Sequence, residues 1–252
     1  MKQLFNMLFP RTVELCLTDF CNLACPNCSQ SVPLVKAKTF IPLSRLAEMA
    51  DAMVNSDVKA IKLSGGEPTL HPQFGEAVKL IANKLPQVRL TMATNGARLL
   101  KHKEVLPLIS VIYLSLYPGL NDQAVTDIVF ESLPNVTLEI KRHGVEMRPL
   151  DKFVENVTQE TCVFAQNHKV VGNRIYPCCA AHGISIRQGF DPNDFSVPFD
   201  GQWAKRLKTV QLGRCCEKCF MGATFKPART VLTSLDRNFF KKAKGRMLAL
   251  LR

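Results

Sequence analysis

The sequence predicts an α/β fold in which a parallel sheet is covered by helices. Short apolar and β-branched runs alternate with segments of helical periodicity through the first 150 or so residues, and most runs end at turn-forming residues. Six strand–helix steps of this kind predict parallel strands joined by crossover helices. The 252-residue chain is 46% hydrophobic, which supplies a sizeable core.

The individual elements follow from local signals. The predicted strands are apolar runs at Thr12–Thr18, Val58–Leu63, Val88–Ala93, Ser110–Leu116, Val136–Ile140 and Val145–Leu150. The predicted helices carry apolar residues at helical spacing and are Ser44–Met53, His71–Lys84, Leu99–Leu106 and Asp122–Phe130. Ser44 is predicted to cap the first helix, and Pro72 suits the first turn of the second.

Three cysteines follow the first predicted strand in the order C-x-x-x-C-x-x-C: Cys21, Cys25 and Cys28. Three thiolates on a [4Fe–4S] cluster leave one iron open for chemistry, whereas structural zinc requires four ligands. Disulfides are disfavoured because the apolar run within residues 1–11 is too short for a signal peptide. Cys16 lies in the apolar strand and is predicted to be buried. The triad therefore indicates an iron–sulfur enzyme.

Two turn motifs follow the next strands: Ser64-Gly65-Gly66-Glu67-Pro68 and Thr94-Asn95-Gly96. A glycine pair at a strand end lets a ligand approach the backbone, and the proline stops the strand ladder. An ordinary strand-to-helix turn is the alternative for each motif taken alone.

Taken together, the triad and these turns resemble the radical S-adenosylmethionine (radical SAM) superfamily. The resemblance implies a partial (β/α)6 TIM-like barrel over residues 1–155, with Cys21, Cys25 and Cys28 holding a [4Fe–4S] cluster. It also implies that S-adenosylmethionine chelates the open iron and yields a 5′-deoxyadenosyl radical that abstracts hydrogen from a substrate. The implied cofactor contacts lie at the carboxyl ends of the strands, where barrel sites are found: Gly65, Gly66, Glu67, Pro68, Asn95 and Ser115.

Two details of this resemblance stay open. Gly65, Gly66 and Glu67 would hold the methionyl amino group, whereas Ser115 is either a ribose or carboxylate contact or a surface hydroxyl. Asn27 departs from the family, because the position before the third cysteine is usually aromatic and lies near the adenine.

Six more cysteines occupy the second half: Cys162, Cys178, Cys179, Cys215, Cys216 and Cys219. A hairpin with its turn at Gly172-Asn173 is predicted between the first two. This layout resembles the twitch/SPASM auxiliary domain of some radical SAM enzymes, here residues 156–228. The resemblance implies a second [4Fe–4S] cluster on Cys162, Cys178, Cys216 and Cys219. Cys215 in place of Cys216, and structural zinc in place of iron, remain open.

The cysteine layout is particularly similar to that of the twitch dehydrogenases that oxidise 2-deoxy-scyllo-inosamine. A second, fully ligated cluster would accept the electron left after hydrogen abstraction. Glu14 and Arg148 occupy positions where substrate contacts would fall; a surface ion pair is the alternative for Arg148. Cys179 and Cys215 are spare thiols, which either pack in the core or donate a hydrogen atom in an epimerisation.

The formal net charge is +12. Residues 229–252 are predicted to form a basic amphipathic helix, whose charged face is either solvated or contacts a membrane surface or an anionic partner. With one tryptophan and three tyrosines, base stacking is poorly supported, so nucleic acid is ranked lowest.

The sequence thus predicts a cytoplasmic radical SAM oxidoreductase acting on a small polar, sugar-like or anionic substrate. It would depend on an external one-electron donor such as flavodoxin or ferredoxin. A ribosomal-peptide maturase, crosslinking or epimerising, is the rival. A non-catalytic iron–sulfur carrier or sensor is a third alternative, against which the glycine motif argues.

Overall fold

The computed structural model describes residues 11–131, 133, 135–143, 158, 159, 162, 164, 165, 167–220 and 228–232. Within these residues one mixed sheet has nine strands. In chain order they are β1 (Thr12–Thr18), β2 (Ala60–Gly65), β3 (Arg89–Thr94), β4 (Val111–Leu116), β5 (Thr137–Arg142), β6 (Asn167–Val171), β7 (Arg174–Tyr176), β8 (Val197–Pro198) and β9 (Ala228–Leu232).

The helices described alongside the sheet are short. The α-helices are α1 (Leu43–Met53), α2 (Phe74–Lys84), α3 (Asp122–Phe130), α4 (Ala181–Gln188), α5 (Trp203–Leu207) and α6 (Gly213–Glu217). Single 3₁₀ turns lie at Val32–Leu34, Pro68–Leu70, Leu99–His102, Leu106–Leu108 and Pro192–Phe195.

The strand order is β8-β7-β6-β1-β2-β3-β4-β5-β9. The six central strands, β6 to β5, pair in parallel, and β7, β8 and β9 pair antiparallel at the two edges. The predicted α/β class with a parallel sheet is confirmed. The sixth parallel strand is β6, from the predicted hairpin, and it joins the sheet beside β1. The predicted strand Val145–Leu150 lies outside the described residues.

The two faces of the parallel strands differ in polarity. On β1, Val13, Leu15 and Leu17 are fully buried and belong to the same core cluster as residues of α1, α2 and α3. Glu14 and Thr18 project from the opposite face, because side chains alternate along a strand. That polar face, rather than the helix-covered one, is where a site with charged groups is to be sought.

Several predicted boundaries are corrected by the structure. The residue preceding α1 is Pro42 rather than Ser44, and α2 begins at Phe74, after Pro72. Two 3₁₀ turns, Leu99–His102 and Leu106–Leu108, replace the predicted helix Leu99–Leu106. The second turn contains Pro107, and a proline does not continue an α-helix.

The predicted C-terminal helix of residues 229–252 is also corrected in its first part. Residues 229–232 lie in β9, which pairs antiparallel with β5. Thr230 and Val231 are β-branched and favour a strand. The rest of that prediction, residues 233–252, lies outside the described part of the chain.

Across the described residues we find no helix with the length and apolar character needed to cross a bilayer.

Candidate active site

The three triad cysteines lie in a loop, residues 19–31, that leaves the carboxyl end of β1 (the triad loop). All three are free and partly buried. The loop turns at Cys28, whose N–H donates to the Cys25 carbonyl at 3.2 Å, while Ser31 N–H donates to the Cys28 carbonyl at 2.9 Å. Burial, together with the neighbouring Cys28 and Cys21 thiols, raises the pKa of Cys25 to about 11. A metal bound here would therefore have to displace protons.

The glycine pair at the end of β2 is needed because the triad loop packs directly against it. A Cβ at Gly65 would lie 2.3 Å from the Thr18 carbonyl oxygen, and one at Gly66 would lie 2.2 Å from the Phe20 carbonyl oxygen. Gly66 N–H donates to that Thr18 oxygen at 2.7 Å. The close approach that the sequence assigned to a ligand is thus made by the chain's own backbone.

Glu67 ties the ends of β2 and β3 together. Its Oε1 accepts hydrogen bonds from the Thr69 N–H at 3.1 Å and from the Thr69 and Thr94 hydroxyls, both at 2.6 Å. Its Oε2 accepts the Asn95 N–H at 2.7 Å. The side chain is fully buried, and burial raises its pKa despite these donors. Both oxygens are occupied, so a cofactor contact from Glu67 would come from its main chain.

Asn95 connects that network to the cysteines. Its Nδ2 lies 3.8 Å from Cys21 Sγ and donates to Asn22 Oδ1 at 3.0 Å. Asn121, which the sequence analysis missed, donates from Nδ2 to the carbonyls of Asn95 at 2.8 Å and of Ser115 at 2.7 Å. An asparagine just before a helix was the available signal. The ends of β3 and β4 are thereby fixed beside the triad loop.

An aromatic pair closes the site at the end of β4. Tyr117 stacks on His143 with ring centroids 4.6 Å apart and planes at 15°. Burial and then the charge of Cys25 raise the pKa of the Tyr117 phenol, whereas a hydrogen bond with Ser115 lowers it. Ser115 therefore lies beside Tyr117, a residue to which the sequence analysis gave no role. The aromatic side chain directly after β4 was the signal.

Comparison with known proteins identifies the family whose sequence pattern includes these site residues. Residues 15–128 match the family described as the radical SAM superfamily. The chain contains a radical SAM domain. The match begins in β1 and ends in α3, and it includes the triad, the glycine pair and Asn95. Radical SAM domains bind a [4Fe–4S] cluster and S-adenosylmethionine.

Curated relatives of the radical SAM domain include GTP 3′,8-cyclases. That of Vibrio vulnificus is 25% identical over 210 residues, covering 69% of this chain and 63% of the relative. That of Haemophilus influenzae is 33% identical over 91 residues, covering 35% of this chain and 27% of the relative. The matches thus span less than two thirds of these relatives.

Solved structures of similar fold include two of BtrN. BtrN in complex with AdoMet and 2-DOIA matches with a TM-score of 0.57 and 15% identity, over 81% of this chain and 88% of BtrN. Its open conformation matches with a TM-score of 0.53 and 14% identity, over 86% and 94%. The predicted resemblance to a twitch enzyme is confirmed at the level of the fold, and this likeness extends beyond the radical SAM domain.

Replacing Glu67 with glutamine should destabilise the radical SAM domain by about 1–3 kcal/mol, since a glutamine amide in place of one oxygen would face an N–H or hydroxyl donor. Glu48→Gln, which removes only an exposed ion pair with Arg45 on α1, should change stability by about 0.5 kcal/mol or less. Urea unfolding monitored by circular dichroism measures both. Equal effects of the two substitutions would contradict the role given to Glu67.

Glu14 lies on the polar face of β1 and is held by lysines. Lys62 of β2 forms an ion pair with its Oε2, and Lys169 of β6 donates to Oε1 at 3.1 Å. Ser64 also donates to Oε1, at 2.9 Å. Burial would raise the pKa of Glu14, but the two lysines outweigh it and lower the pKa to about 2. Glu14 is thus an anion inside the fold. Arg148, the other predicted substrate contact, lies outside the described residues.

Five of the six later cysteines line one cavity, namely Cys162, Cys178, Cys215, Cys216 and Cys219. Burial raises the pKa of the Cys178 thiol well above its usual value, although hydrogen bonds from the Ala180 and Ala181 N–H groups lower it in part. No group of three or more potential ligands among the described residues is arranged to hold a single metal ion. Soft thiol ligands of this kind suit both an iron–sulfur cluster and zinc.

Cys215 differs from its neighbour Cys216. Cys215 is 2% exposed, its thiol donates to the Ala181 carbonyl at 3.8 Å, and burial raises its pKa to about 12. Cys216 is partly exposed. Of the two, Cys216 is therefore the more accessible thiol.

The triad loop and α4 are in direct contact. Ser31 Oγ donates to the Gly183 carbonyl at 2.8 Å, and a Cβ at Gly183 would lie 2.3 Å from the Ser29 carbonyl oxygen. Arg187 donates to the Pro26 carbonyl at 3.3 Å. The helix that follows Cys178 and Cys179 therefore supports the loop that carries the triad.

Proposed function

We propose that this radical SAM enzyme is an oxidoreductase that abstracts hydrogen from a small polar substrate and uses a second iron–sulfur cluster to accept the remaining electron. The packing of the triad loop against Gly65 and Gly66, beside Asn95, carries the first half of the proposal. It brings three thiols and the cofactor-binding turns to the same end of the parallel sheet, where sites of such folds lie.

When bound, the triad cluster and S-adenosylmethionine together supply a 5′-deoxyadenosyl radical. Cys21, Cys25 and Cys28 hold the cluster as thiolates, and Gly65, Gly66, Glu67, Pro68 and Asn95 line the cofactor. Because Glu67 has both side-chain oxygens occupied, its contribution is through the main chain.

The adenine has no aromatic residue beside the third cysteine, where Asn27 stands. The stacked Tyr117–His143 pair offers a flat surface for it instead, because Tyr117 is near enough to Cys25 for the thiol to affect its pKa. Ser115 holds the Tyr117 hydroxyl and is the candidate ribose contact.

The second cluster would be held by Cys162, Cys178, Cys216 and Cys219. Their shared cavity supports this assignment, and the buried, hydrogen-bonded Cys215 supports the choice of Cys216 over it. Electrons would enter from an external donor of the flavodoxin or ferredoxin type. The ten free cysteines suit a reducing compartment such as the cytoplasm.

Formation of 5′-deoxyadenosine tests the radical SAM activity of this chain. Anaerobically reconstituted protein with S-adenosylmethionine and dithionite should release it, and deuterated candidate cyclitols and sugar acids should transfer label into it. Absence of 5′-deoxyadenosine with dithionite, with titanium(III) citrate and with reduced flavodoxin would refute the enzyme assignment and favour a carrier or sensor.

Iron analysis tests the second cluster. Reconstituted protein should hold about eight irons and eight sulfides per chain, and Cys178→Ala should hold about four. Cys179→Ala is the matched control, because Cys179 does not line the cavity, and it should keep about eight. About four irons with one zinc in the parent protein would overturn the oxidoreductase proposal in its two-cluster form.

Epimerisation is a second candidate, favoured by the position of Cys179. This thiol does not line the cysteine cavity but lies close enough to Glu14, Lys62 and Lys169 for their charges to affect its pKa. A thiol there could return a hydrogen atom to a substrate radical. Solvent deuterium at the reacting carbon of the product, lost in Cys179→Ala, would support epimerisation; product oxidised in both proteins would exclude it.

A further inference from the structure

Three charged residues lie side by side on adjacent strands of the polar sheet face. In the parallel register Glu14 of β1 pairs with Lys62 of β2 on one side and with Lys169 of β6 on the other. Neighbouring residues in register project to the same face of a sheet. The cluster is therefore part of the rigid sheet and not of a loop.

The cluster carries one more positive charge than negative. Glu14 is 2% exposed and Lys169 is 1% exposed, while the Lys62 side chain is 30% exposed. Among the described residues, neither lysine forms an ion pair with a second carboxylate. Burial, and then the charge of Lys169, lowers the pKa of His182 to about 4, so this histidine is neutral near pH 7. Asp19 is a further buried carboxylate near Lys169, since the charges of both affect the Cys16 thiol, but it accepts from Thr39 and forms no ion pair with either lysine. The cluster of Glu14, Lys62 and Lys169 itself therefore keeps its surplus positive charge.

The two lysines of the cluster have more hydrogen-bond donors than Glu14 can accept. Glu14 is saturated, because it accepts from Lys62, Lys169, Ser64 and, at 3.5 Å, from Gln30. Each lysine ammonium has three N–H donors, and Glu14 is the hydrogen-bonding partner of both among the described residues. Unused donors on a buried ammonium are costly unless a ligand accepts from them.

Both cysteine groups have a residue beside this cluster. Gln30 belongs to the triad loop, and its Oε1 is buried with no hydrogen-bonding partner in the described structure. Cys179 follows the auxiliary ligand Cys178, and its thiol feels the charges of Glu14, Lys62 and Lys169. A molecule bound to the lysines would thus lie beside both cysteine groups, with an unpaired acceptor available for one of its hydroxyl or amino groups.

We propose that Lys62 and Lys169 bind an oxoanion of the substrate, a carboxylate or a phosphate, with Glu14 as the counter-ion that lies between the two ammonium groups, competes for their charge and does not itself contact the anion. The inference rests on the proposed function only in calling the bound molecule a substrate. It makes the substrate an acid or a phosphate ester in place of a neutral sugar.

Binding of inorganic phosphate and of malonate to the reconstituted holoenzyme tests the proposal. S-adenosylmethionine is present at saturation so that the open iron is not available to the anion, and affinities are measured by isothermal titration calorimetry. Lys62→Gln should weaken anion binding about 10- to 100-fold, because it removes one charge-assisted hydrogen bond. Glu14→Gln should strengthen it, because the surplus charge rises. Lys84→Gln, on the outer helix α2 and paired with Asp51, should match the parent.

The opposite signs of the two effects separate anion binding from misfolding, which would weaken binding in both variants. Tighter binding of phosphate than of malonate would identify a phosphate ester, and the reverse a carboxylic acid. Failure of both anions to bind, or weaker binding in Glu14→Gln, would overturn the inference. Anion binding without any 5′-deoxyadenosine from the parent protein would instead refute the proposed function and leave the anion site standing.

Discussion

Cys25→Ala should form no detectable 5′-deoxyadenosine and should lose the iron of the triad cluster. Two thiols in the triad loop cannot hold a cluster that needs three, and Cys25 lies between the other two. We expect about four irons per chain to remain, all of them in the auxiliary cavity. Iron and sulfide analysis and chromatography of the dithionite reaction measure the two effects.

Cys16→Ala is the matched control, because this thiol belongs to β1, is 6% exposed and lies outside the triad loop. Its thiol donates to the Thr18 carbonyl at 3.5 Å. The control should keep the parent iron content and activity. Parent-level 5′-deoxyadenosine from Cys25→Ala would remove the triad from the catalytic site.

Gly66→Ala should lower 5′-deoxyadenosine formation about 100-fold or more. The new Cβ would meet the Phe20 carbonyl at 2.2 Å and Cys21 Cβ at 3.1 Å, so the triad loop must move away from β2. Displacement of catalytic groups by about 1 Å is enough for such a loss. Overpacking of this kind also costs about 1–3 kcal/mol of stability. Turnover assays and thermal unfolding measure the two losses.

Gly201→Ala serves as the comparison, because a Cβ there would have no neighbour within 4 Å. It should leave turnover, iron content and unfolding temperature at parent values. If Gly66→Ala kept parent turnover, the glycine pair would not be what sets the position of the triad loop.

The sequence predicted the elements whose signals are local. The period-2 run of β1 placed Thr12–Thr18 at its observed bounds, as did the apolar spacing of α3 at Asp122–Phe130. The triad and the glycine pair were found because their residue types are rare at such spacing.

What the sequence missed depends on long-range contacts. Lys169 meets Glu14 across 155 residues, and β6 joins the β1 edge of the sheet. The sequence analysis placed Glu14 at a substrate contact. It did not find the two lysine partners, because no local pattern indicates them. The donors to Glu67 come from two separate turns, which no spacing rule relates. Tyr117 and His143 meet only because β4 and β5 are neighbours.

The contact between α4 and the triad loop changes how the chain can be divided. A fragment ending at residue 155 would leave β1 without β6, Glu14 with a single lysine, and Ser31 without the Gly183 carbonyl. Grafting the cysteine-rich segment of another enzyme onto this barrel would exchange Lys169 at the same time. The radical SAM domain and the cysteine-rich segment are therefore one structural unit, and exchanging that segment also changes the charges beside Glu14.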